Sequence, residues 1–182
     1  MTKKYFLLIF VIVLVIWGLF CLTKNPSEKI PSIPLSFDGK NSTFNINKES
    51  FTLINGLSEI PAAPNSTSKI TTRYFGNEAT GDLNGDNLED QAFLITQEAS
   101  GSGLFYYVVV ALKKSGGYQT TNAFFVGDRI APQSTEIHSD SKELHVNFAE
   151  RKKGEPMTTN PSVGAVLLLK VTPEGVLEGL MK

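Results

Sequence analysis

The chain contains little of the chemistry on which enzymes and small exported domains commonly depend. Its 182 residues include one cysteine, Cys21, and two histidines, His138 and His145. A single cysteine excludes a disulfide within the chain, and Cys21 lies inside a hydrophobic segment, so the remainder has no thiol for catalysis. Small exported domains often depend on disulfides. This one must therefore be stabilised by its core and by any metal that it binds.

The chain also lacks an excess of basic charge, an internal repeat and a sustained helical period. All 18 acidic residues and all but two of the 17 basic ones follow Leu22, which leaves that part near −3. Such a balance argues against a nucleic-acid partner. The absence of a repeat argues against a propeller or a solenoid, because those folds need several copies of one unit.

One long hydrophobic run is present at the N-terminus. It extends for 18 uncharged residues from Tyr5 to Leu22, just above the ~17 that a transmembrane helix needs. Lys3 and Lys4 precede it, and the positive-inside rule keeps that end cytoplasmic. We therefore expect a single-pass cell-membrane protein whose residues from Thr23 onward are extracytoplasmic, either periplasmic or on the cell surface.

Two other interpretations of this run fit less well. A cleaved signal peptide would have a shorter apolar region and a small-x-small cleavage site, which Phe20 and Leu22 do not provide. A lipoprotein would use Cys21 as the lipidated residue, but the large Phe20 stands where a small residue should. An uncleaved anchor is favoured, and it predicts a transmembrane segment at 1–22, a linker at 23–34 and an extracytoplasmic domain at 35–182.

The pattern after the linker is typical of β-strands. Asn55-Gly56 between alternating apolar residues is a strong signal for a hairpin, here joining 51–54 to 57–60. Further strands are predicted at 70–75, 91–96, 104–112, 118–126, 135–138, 144–148 and 163–171. Short Gly- and Asn-containing connections favour antiparallel pairing. The predicted fold is mainly β, a single antiparallel meander forming a curled sheet or a small barrel.

The segment from Gly81 to Asp90 carries the clearest chemical signal. Oxygen-bearing side chains recur at alternate positions (Asp82, Asn84, Asp86 and Asp90), and Leu88 can add its backbone carbonyl. Ca²⁺ takes six to eight oxygen ligands at flexible geometry. We expect these five residues to bind a structural Ca²⁺. The alternative is an Asx-rich turn with solvated carboxylates, which would leave three carboxylates in nine residues to repel one another.

This segment departs from an EF-hand at two positions. Asn87 replaces the usual glycine, although Asn tolerates the left-handed conformation, and Phe93 replaces the bidentate glutamate. Because Phe93 belongs to a predicted strand, the segment resembles instead the calcium loops of FG-GAP repeats, in which D-x-[DN]-x-[DN]-G-x-x-D leads directly into a strand. That resemblance implies the same five ligands and covers only about 15 residues.

Several other stretches resemble one family of membrane-anchored or secreted bacterial envelope proteins for which no activity is known. They are NSTF from Asn41, KITTRYFG from Lys69, GSGLFYY from Gly101, VGDRI from Val126 and GEPMTTNPSVG from Gly154. The resemblance implies one exported domain architecture and no particular activity.

The remaining candidate residues favour structural roles. Ser102 lies in a glycine turn without a nucleophile-elbow pattern, and His138 and His145 are expected on a sheet surface or edge. Two isolated histidines without an exported cysteine do not make a zinc site, which needs three or four ligands. Tyr106 and Tyr107 point to opposite faces of one strand, so at most one is expected in the core.

Two functions follow from these observations. The first is a non-enzymatic, Ca²⁺-stabilised envelope module that binds an unknown envelope protein or polymer and contacts the membrane through its N-terminal helix. The alternative is a hydrolase-type enzyme acting on an envelope or extracellular polymer. An exposed aromatic patch would support the first, and a cleft that gathers carboxylates, histidine or arginine would support the second.

Overall fold

Antiparallel strands make up most of the computed structural model, which describes residues 36–99 and 101–180. A 3₁₀ turn at Gly39–Asn41 is the one helical element in this part. The strands are β1 (Thr43–Ile46), β2 (Glu49–Thr52), β3 (Leu57–Pro61), β4 (Lys69–Gly81), β5 (Asp90–Glu98), β6 (Phe105–Lys114), β7 (Gly117–Thr120), β8 (Phe124–Asp128), β9 (Ala131–His138), β10 (Glu143–Glu150), β11 (Val163–Val171) and β12 (Leu177–Gly179).

The predicted mainly-β, antiparallel fold is confirmed, but within the described residues the strands form open sheets and no closed barrel. One sheet has the order β3-β4-β5-β6, with β7 and β8 both pairing with the remaining edge of β6. The second has the order β12-β11-β10-β9, and β1 and β2 form a separate hairpin. Neighbours within each sheet are mostly neighbours in sequence.

The main core lies between the six-stranded and the four-stranded sheet. The first sheet contributes Leu94, Val108 and Val110, and the second contributes Leu144 and Val146, all without exposed surface. Alternation along each strand places these side chains on the facing surfaces of the two sheets. The four-stranded sheet therefore has one face in the core and one in solvent.

A second core covers the opposite face of the six-stranded sheet. There the β1–β2 hairpin packs Phe44 and Phe51 against residues that include Phe93 and Val109. Strands β5 and β6 are consequently buried on both faces, which explains their nearly continuous apolar sequences.

This double covering overturns one sequence-based expectation. Tyr106 and Tyr107 do point to opposite faces, yet both are buried, at 7% and 8% exposure. Tyr106 belongs to the main core and Tyr107 to the second core. The prediction that at most one would be in the core was wrong, because it did not include the third layer.

The Asn55-Gly56 turn is present, but the predicted hairpin around it is wrong. Both residues have positive φ, 53° and 85°, as a type I′ turn requires. A single bridge, between Ile54 and Leu57, spans the turn. The preceding strand, β2, pairs with β1, and the following strand, β3, pairs with the much longer β4.

The end of β4 brings the two large sheets together. Bulges interrupt β4 near Gly76 and Asn77, both with positive φ, and the Asn77 side-chain amide donates to Thr135 Oγ1 on β9 at 3.2 Å. A Cβ on Gly81 would lie only 2.8 Å from Ile137 Cγ2. Any larger residue at this position would therefore collide with β9. The segment after Gly81 therefore begins at the junction of the sheets.

The predicted anchor at 1–22 and linker at 23–34 lie outside the described residues. In the part of the chain that is described, no helix has the length and apolarity needed to cross a membrane.

Candidate functional site

The predicted calcium loop connects β4 to β5 and is fixed at its start by the four-stranded sheet. Asp82 follows Gly81 directly, and its backbone N–H donates to Ser139 Oγ at 3.0 Å. Ser139 comes immediately after β9, so this hydrogen bond joins the loop to the β9–β10 turn. The backbone conformation at the start of the loop therefore depends on the β9–β10 turn as well as on the loop's own sequence.

Within the loop, the polar side chains form successive Asx turns. Asp82 Oδ1 accepts the Gly85 N–H at 2.7 Å, and Asp82 Oδ2 accepts the Asn87 N–H at 3.1 Å. Asn84 Oδ1 accepts the Asp86 N–H, and Asp86 Oδ1 accepts the Leu88 N–H, both at 2.9 Å. These bonds curl the chain tightly and bring the predicted ligands into one loop.

Asn87 takes the left-handed conformation that the usual glycine has in an EF-hand, so its replacement of glycine is tolerated. Its φ is 62°, in the left-handed region that Asn tolerates better than most residues. The strand begins at Asp90 and includes Phe93, so the loop leads into a strand, where an EF-hand would lead into a helix.

Asp90 differs from the other predicted ligands because its carboxylate is directed into the protein. The residue has no exposed surface. Its Oδ2 accepts the Leu83 N–H at 3.0 Å and its Oδ1 accepts the Lys113 N–H at 2.9 Å. Burial raises the pKa of Asp90 above its ordinary value; the two backbone donors oppose that effect, and the negative charges of Asp86 and Asp82 add to it.

Two lysines compensate the charge of the outer carboxylates. Lys142 Nζ lies 2.8 Å from Asp82 Oδ2, and Lys114 Nζ lies 3.8 Å from Asp86 Oδ2. The Lys142 ammonium is the main cause that lowers the pKa of Asp82, and the Gly85 and Asn87 amides lower it further. The carboxylate repulsion that would favour a metal is thus partly relieved by the protein itself.

The structure places the five predicted ligands together in sequence and space, but not around one point. Among the described residues, no three acidic, histidine or cysteine side chains converge on a common position. The oxygens of Asp82, Asn84 and Asp86 lie on the loop, Leu88 is exposed, and Asp90 is directed inward. The all-oxygen donor set suits Ca²⁺, and at Asp82 Oδ2 an ion would compete with the Lys142 ammonium.

The residues that hold this loop from outside have no signal in the local sequence. Lys142 and Ser139 lie 60 and 57 positions from Asp82, and no local pattern links them to it. Lys113 contributes through its backbone N–H, which no sequence signal reveals. Their roles arise from the packing of the β9–β10 turn and β6 against the loop.

A polar cavity of about 400 Å³ adjoins the loop. Asn84, Gly85 and Asp86 form one wall, and residues of the β6–β7 hairpin and the β11–β12 turn form the others, including Lys114 and Glu174. The Thr172 hydroxyl is the main cause that lowers the pKa of Glu174. The cavity therefore presents charged and polar groups to any small ligand.

The two histidines and the Asp128-Arg129 pair lie outside the 82–90 loop. His138 and His145 lie on strands β9 and β10, as expected, and their rings contact each other. Asp128 and Arg129 form an ion pair at 2.9 Å, and Asp128 also accepts the Leu104 N–H, so this pair fixes a turn.

We compared the chain with known proteins and found no relative. No protein-family model, curated protein or solved structure matches the chain.

Proposed function

We propose that this chain is a membrane-anchored, extracytoplasmic β domain that binds a structural Ca²⁺ in the 82–90 loop and serves the cell envelope as a structural or binding module. The observation that carries the proposal is the position of the loop. It hydrogen-bonds or pairs with the β9–β10 turn through Ser139 and Lys142, and with β6 through Lys113. One ion in this loop would stabilise the junction of both large sheets.

The ligands in this proposal are oxygens of Asp82, Asn84, Asp86 and Asp90 and the carbonyl of Leu88. Carboxylate oxygens that accept one hydrogen bond retain a lone pair for a metal, so the Asx turns do not exclude coordination. The competing group is the Lys142 ammonium at Asp82. Ca²⁺ binding would then exchange one cation for another at the same carboxylate.

This exchange makes the expected affinity modest. Extracellular Ca²⁺ modules bind at roughly 10⁻⁴–10⁻³ M. At free Ca²⁺ about tenfold above such a Kd, binding adds roughly 1.4 kcal/mol to the free energy of unfolding. A contribution of this size suits a structural clamp.

The test compares thermal unfolding of the full-length chain in Ca²⁺ and in EDTA. We expect Ca²⁺ to raise the melting temperature of the wild type, and Asp82→Asn to abolish the increase. Lys142→Met removes the competing ammonium at nearly constant side-chain volume, so the Ca²⁺-induced increase should be larger than in the wild type.

Glu89→Gln is the matched control, because Glu89 is an exposed acid in the same loop that is not a predicted ligand. It should respond to Ca²⁺ as the wild type does. Equal melting temperatures in Ca²⁺ and EDTA for both the wild type and Lys142→Met would rule out the calcium proposal.

A binding role is supported by one exposed aromatic side chain that lies beside two less exposed rings. Phe125 is 49% exposed, and its ring contacts those of Phe105 and Tyr107 at 6.3 and 5.6 Å between centroids. Such a ring can pack against an envelope protein or stack on a sugar of a polymer. Co-sedimentation with purified cell-wall polymer should decrease in Phe125→Ala if the partner is a polymer.

The hydrolase alternative has one supporting observation, the cavity with Asp86 and Glu174 on its walls. A general acid needs a pKa raised toward the working pH, whereas that of Glu174 is lowered. A lowered pKa favours the ionised form of Glu174, which cannot donate a proton as a general acid. The binding module is therefore the better supported proposal.

A further inference from the structure

Four metal-ligating side chains form a square on the solvent face of the four-stranded sheet. In the antiparallel pairing of β9 with β10, Glu136 lies opposite His145 and His138 lies opposite Glu143. Paired residues, and residues two apart on one strand, share a face. The buried Leu144 between Glu143 and His145 identifies the other face as the core side. We call these four residues the His–Glu square.

The contacts within the square are already close. The two imidazole rings lie 4.1 Å apart between centroids, with 40° between their planes. His145 Nε2 is 3.1 Å from Glu143 Oε2, and His138 Nε2 is 3.6 Å from Glu136 Oε2. Each imidazole thus faces the glutamate of its own strand, with the second imidazole beside it.

We propose that the His–Glu square binds a divalent transition-metal ion, and that Zn²⁺ is the ion it suits best. Zinc takes histidine nitrogens at ~2.0–2.1 Å and carboxylate oxygens at ~2.0–2.2 Å in sites of three or four protein ligands. Imidazole ligands distinguish this site from the all-oxygen calcium loop, because they favour Zn²⁺, Cu²⁺ or Ni²⁺ over Ca²⁺. The site is separate from the proposed function and does not depend on it.

Forming the site requires rotation of side chains but no change of the sheet. No three of these groups yet surround one point in the described structure. His138 and Glu136 have 44% and 52% of their side-chain surface exposed, and such side chains change rotamer within picoseconds to nanoseconds. The backbone register, which is slow to change, already places all four ligands on one face.

Groups around the square fit this role. Glu136 Oε1 accepts hydrogen bonds from Ser134 Oγ at 2.7 Å and Asn147 Nδ2 at 3.4 Å, and such outer contacts commonly orient metal ligands. Lys170 Nζ lies 3.7 Å from Glu143 Oε1 and competes with a metal for that carboxylate. Its removal should therefore strengthen metal binding.

The two histidines make a direct measurement possible, because they are the only ones in the chain. The full-length chain, purified in mild detergent without a histidine tag, is titrated with ZnCl₂ while the imidazole NMR signals are recorded. We expect both imidazoles to respond together and to saturate at one Zn²⁺ per chain. CaCl₂ at the same concentration should leave them unchanged.

Calorimetry on variants then locates the site. His138→Ala and His145→Ala should each weaken Zn²⁺ binding at least about tenfold, and Lys170→Met should strengthen it. Asp82→Asn, in the calcium loop, is the matched control and should bind Zn²⁺ as the wild type does. Conversely, His145→Ala should keep any Ca²⁺-induced increase in melting temperature. Either proposal can therefore be rejected without affecting the other.

Unchanged imidazole signals in the wild-type chain would overturn the proposal without reference to the folding of any variant. So would Zn²⁺ affinity that survives both histidine substitutions, or a response of one imidazole alone.

Discussion

At the level of single residues, Asp90 links the end of the 82–90 loop to its beginning and to β6. Its carboxylate accepts backbone N–H groups from Leu83 at one end of the loop and from Lys113 on β6. Leu83 is itself buried in the main core. Asp90 therefore ties the loop to two parts of the fold whether or not a metal is bound.

Asp90→Ala should consequently be much more destabilising than a change at an exposed acid beside it. Losing the carboxylate leaves the buried Leu83 N–H and the part-buried Lys113 N–H without this acceptor, which costs roughly 1–3 kcal/mol for each donor that water cannot reach. Glu89→Ala, one residue earlier and exposed, should change the free energy of unfolding by less than about 0.5 kcal/mol. Urea unfolding of both variants measures the difference, and equal midpoints would contradict the role assigned to Asp90.

The ion pair between Asp82 and Lys142 should give stability a defined pH dependence. Because the pKa of Asp82 is lowered in the folded protein from its ordinary 3.8, the pair contributes fully above about pH 4. The contribution is lost as the pH falls through the lowered pKa. In EDTA, Lys142→Met should therefore be less stable than the wild type at pH 7, by about 1 kcal/mol or less.

That difference should disappear at acid pH. Urea midpoints measured between pH 7 and pH 2 should converge for the two proteins below the ordinary pKa of Asp82. A difference that stays constant down to pH 2 would mean that Lys142 contributes through its packing and not through its charge.

Among the structural elements, the β1–β2 hairpin determines whether the six-stranded sheet is buried on one face or two. Four of its apolar neighbours in the second core, Phe93, Ile95, Tyr107 and Val109, come from β5 and β6. Without the hairpin this surface would be exposed. The short β1–β2 hairpin thus explains why β5 and β6 are buried on both faces.

Phe44→Ala should test this contribution. Phe44 is 2% exposed and packs edge-on against Phe93 at 6.4 Å, so removing its ring costs roughly 3–5 kcal/mol. Phe125→Ala is the matched substitution at a ring that is 49% exposed, and it should cost less than about 1.5 kcal/mol. Similar urea midpoints for the two variants would mean that the hairpin adds little to stability.

For the molecule as a whole, the anchor prediction concerns residues that the described structure does not include. Expressed in bacteria, the full chain should remain in the membrane fraction after alkaline extraction, and external protease should digest the domain once outer barriers are removed. Retention should persist in Cys21→Ser if residues 5–22 are an uncleaved helix. Release of that variant would instead identify lipidation at Cys21 as the anchor.

Strand positions were predictable because they depend on local alternation. The predicted strand at 163–171 coincides with β11, and those at 91–96 and 104–112 lie largely within β5 and β6. The turn at Asn55-Gly56 was also predictable, since positive φ depends on those two residues. Strand β1 was missed, although Phe44 and Ile46 alternate with polar residues before the Asn47-Lys48 turn.

Pairing between strands was less predictable because it is decided by competition among partners along the chain. The strands on either side of Asn55-Gly56 have the right residues for a hairpin, but β2 pairs with β1 and β3 pairs with the long strand β4. The pairing of β1 with β2 also forms the hairpin that covers Tyr107 in the second core. Local sequence contains no information about which surface will cover it.

The sequence by itself determined the strand-forming segments, the Asx turns of the 82–90 loop and the left-handed Asn87, because each depends on a few neighbouring residues. Only the tertiary structure decided that three layers form, that Lys142 compensates Asp82, and that two histidines seven positions apart meet with Glu136 and Glu143 on one face. Those outcomes depend on strand register and on which faces become buried. Both depend on which strands pair with each other and which apolar faces pack together across the whole chain.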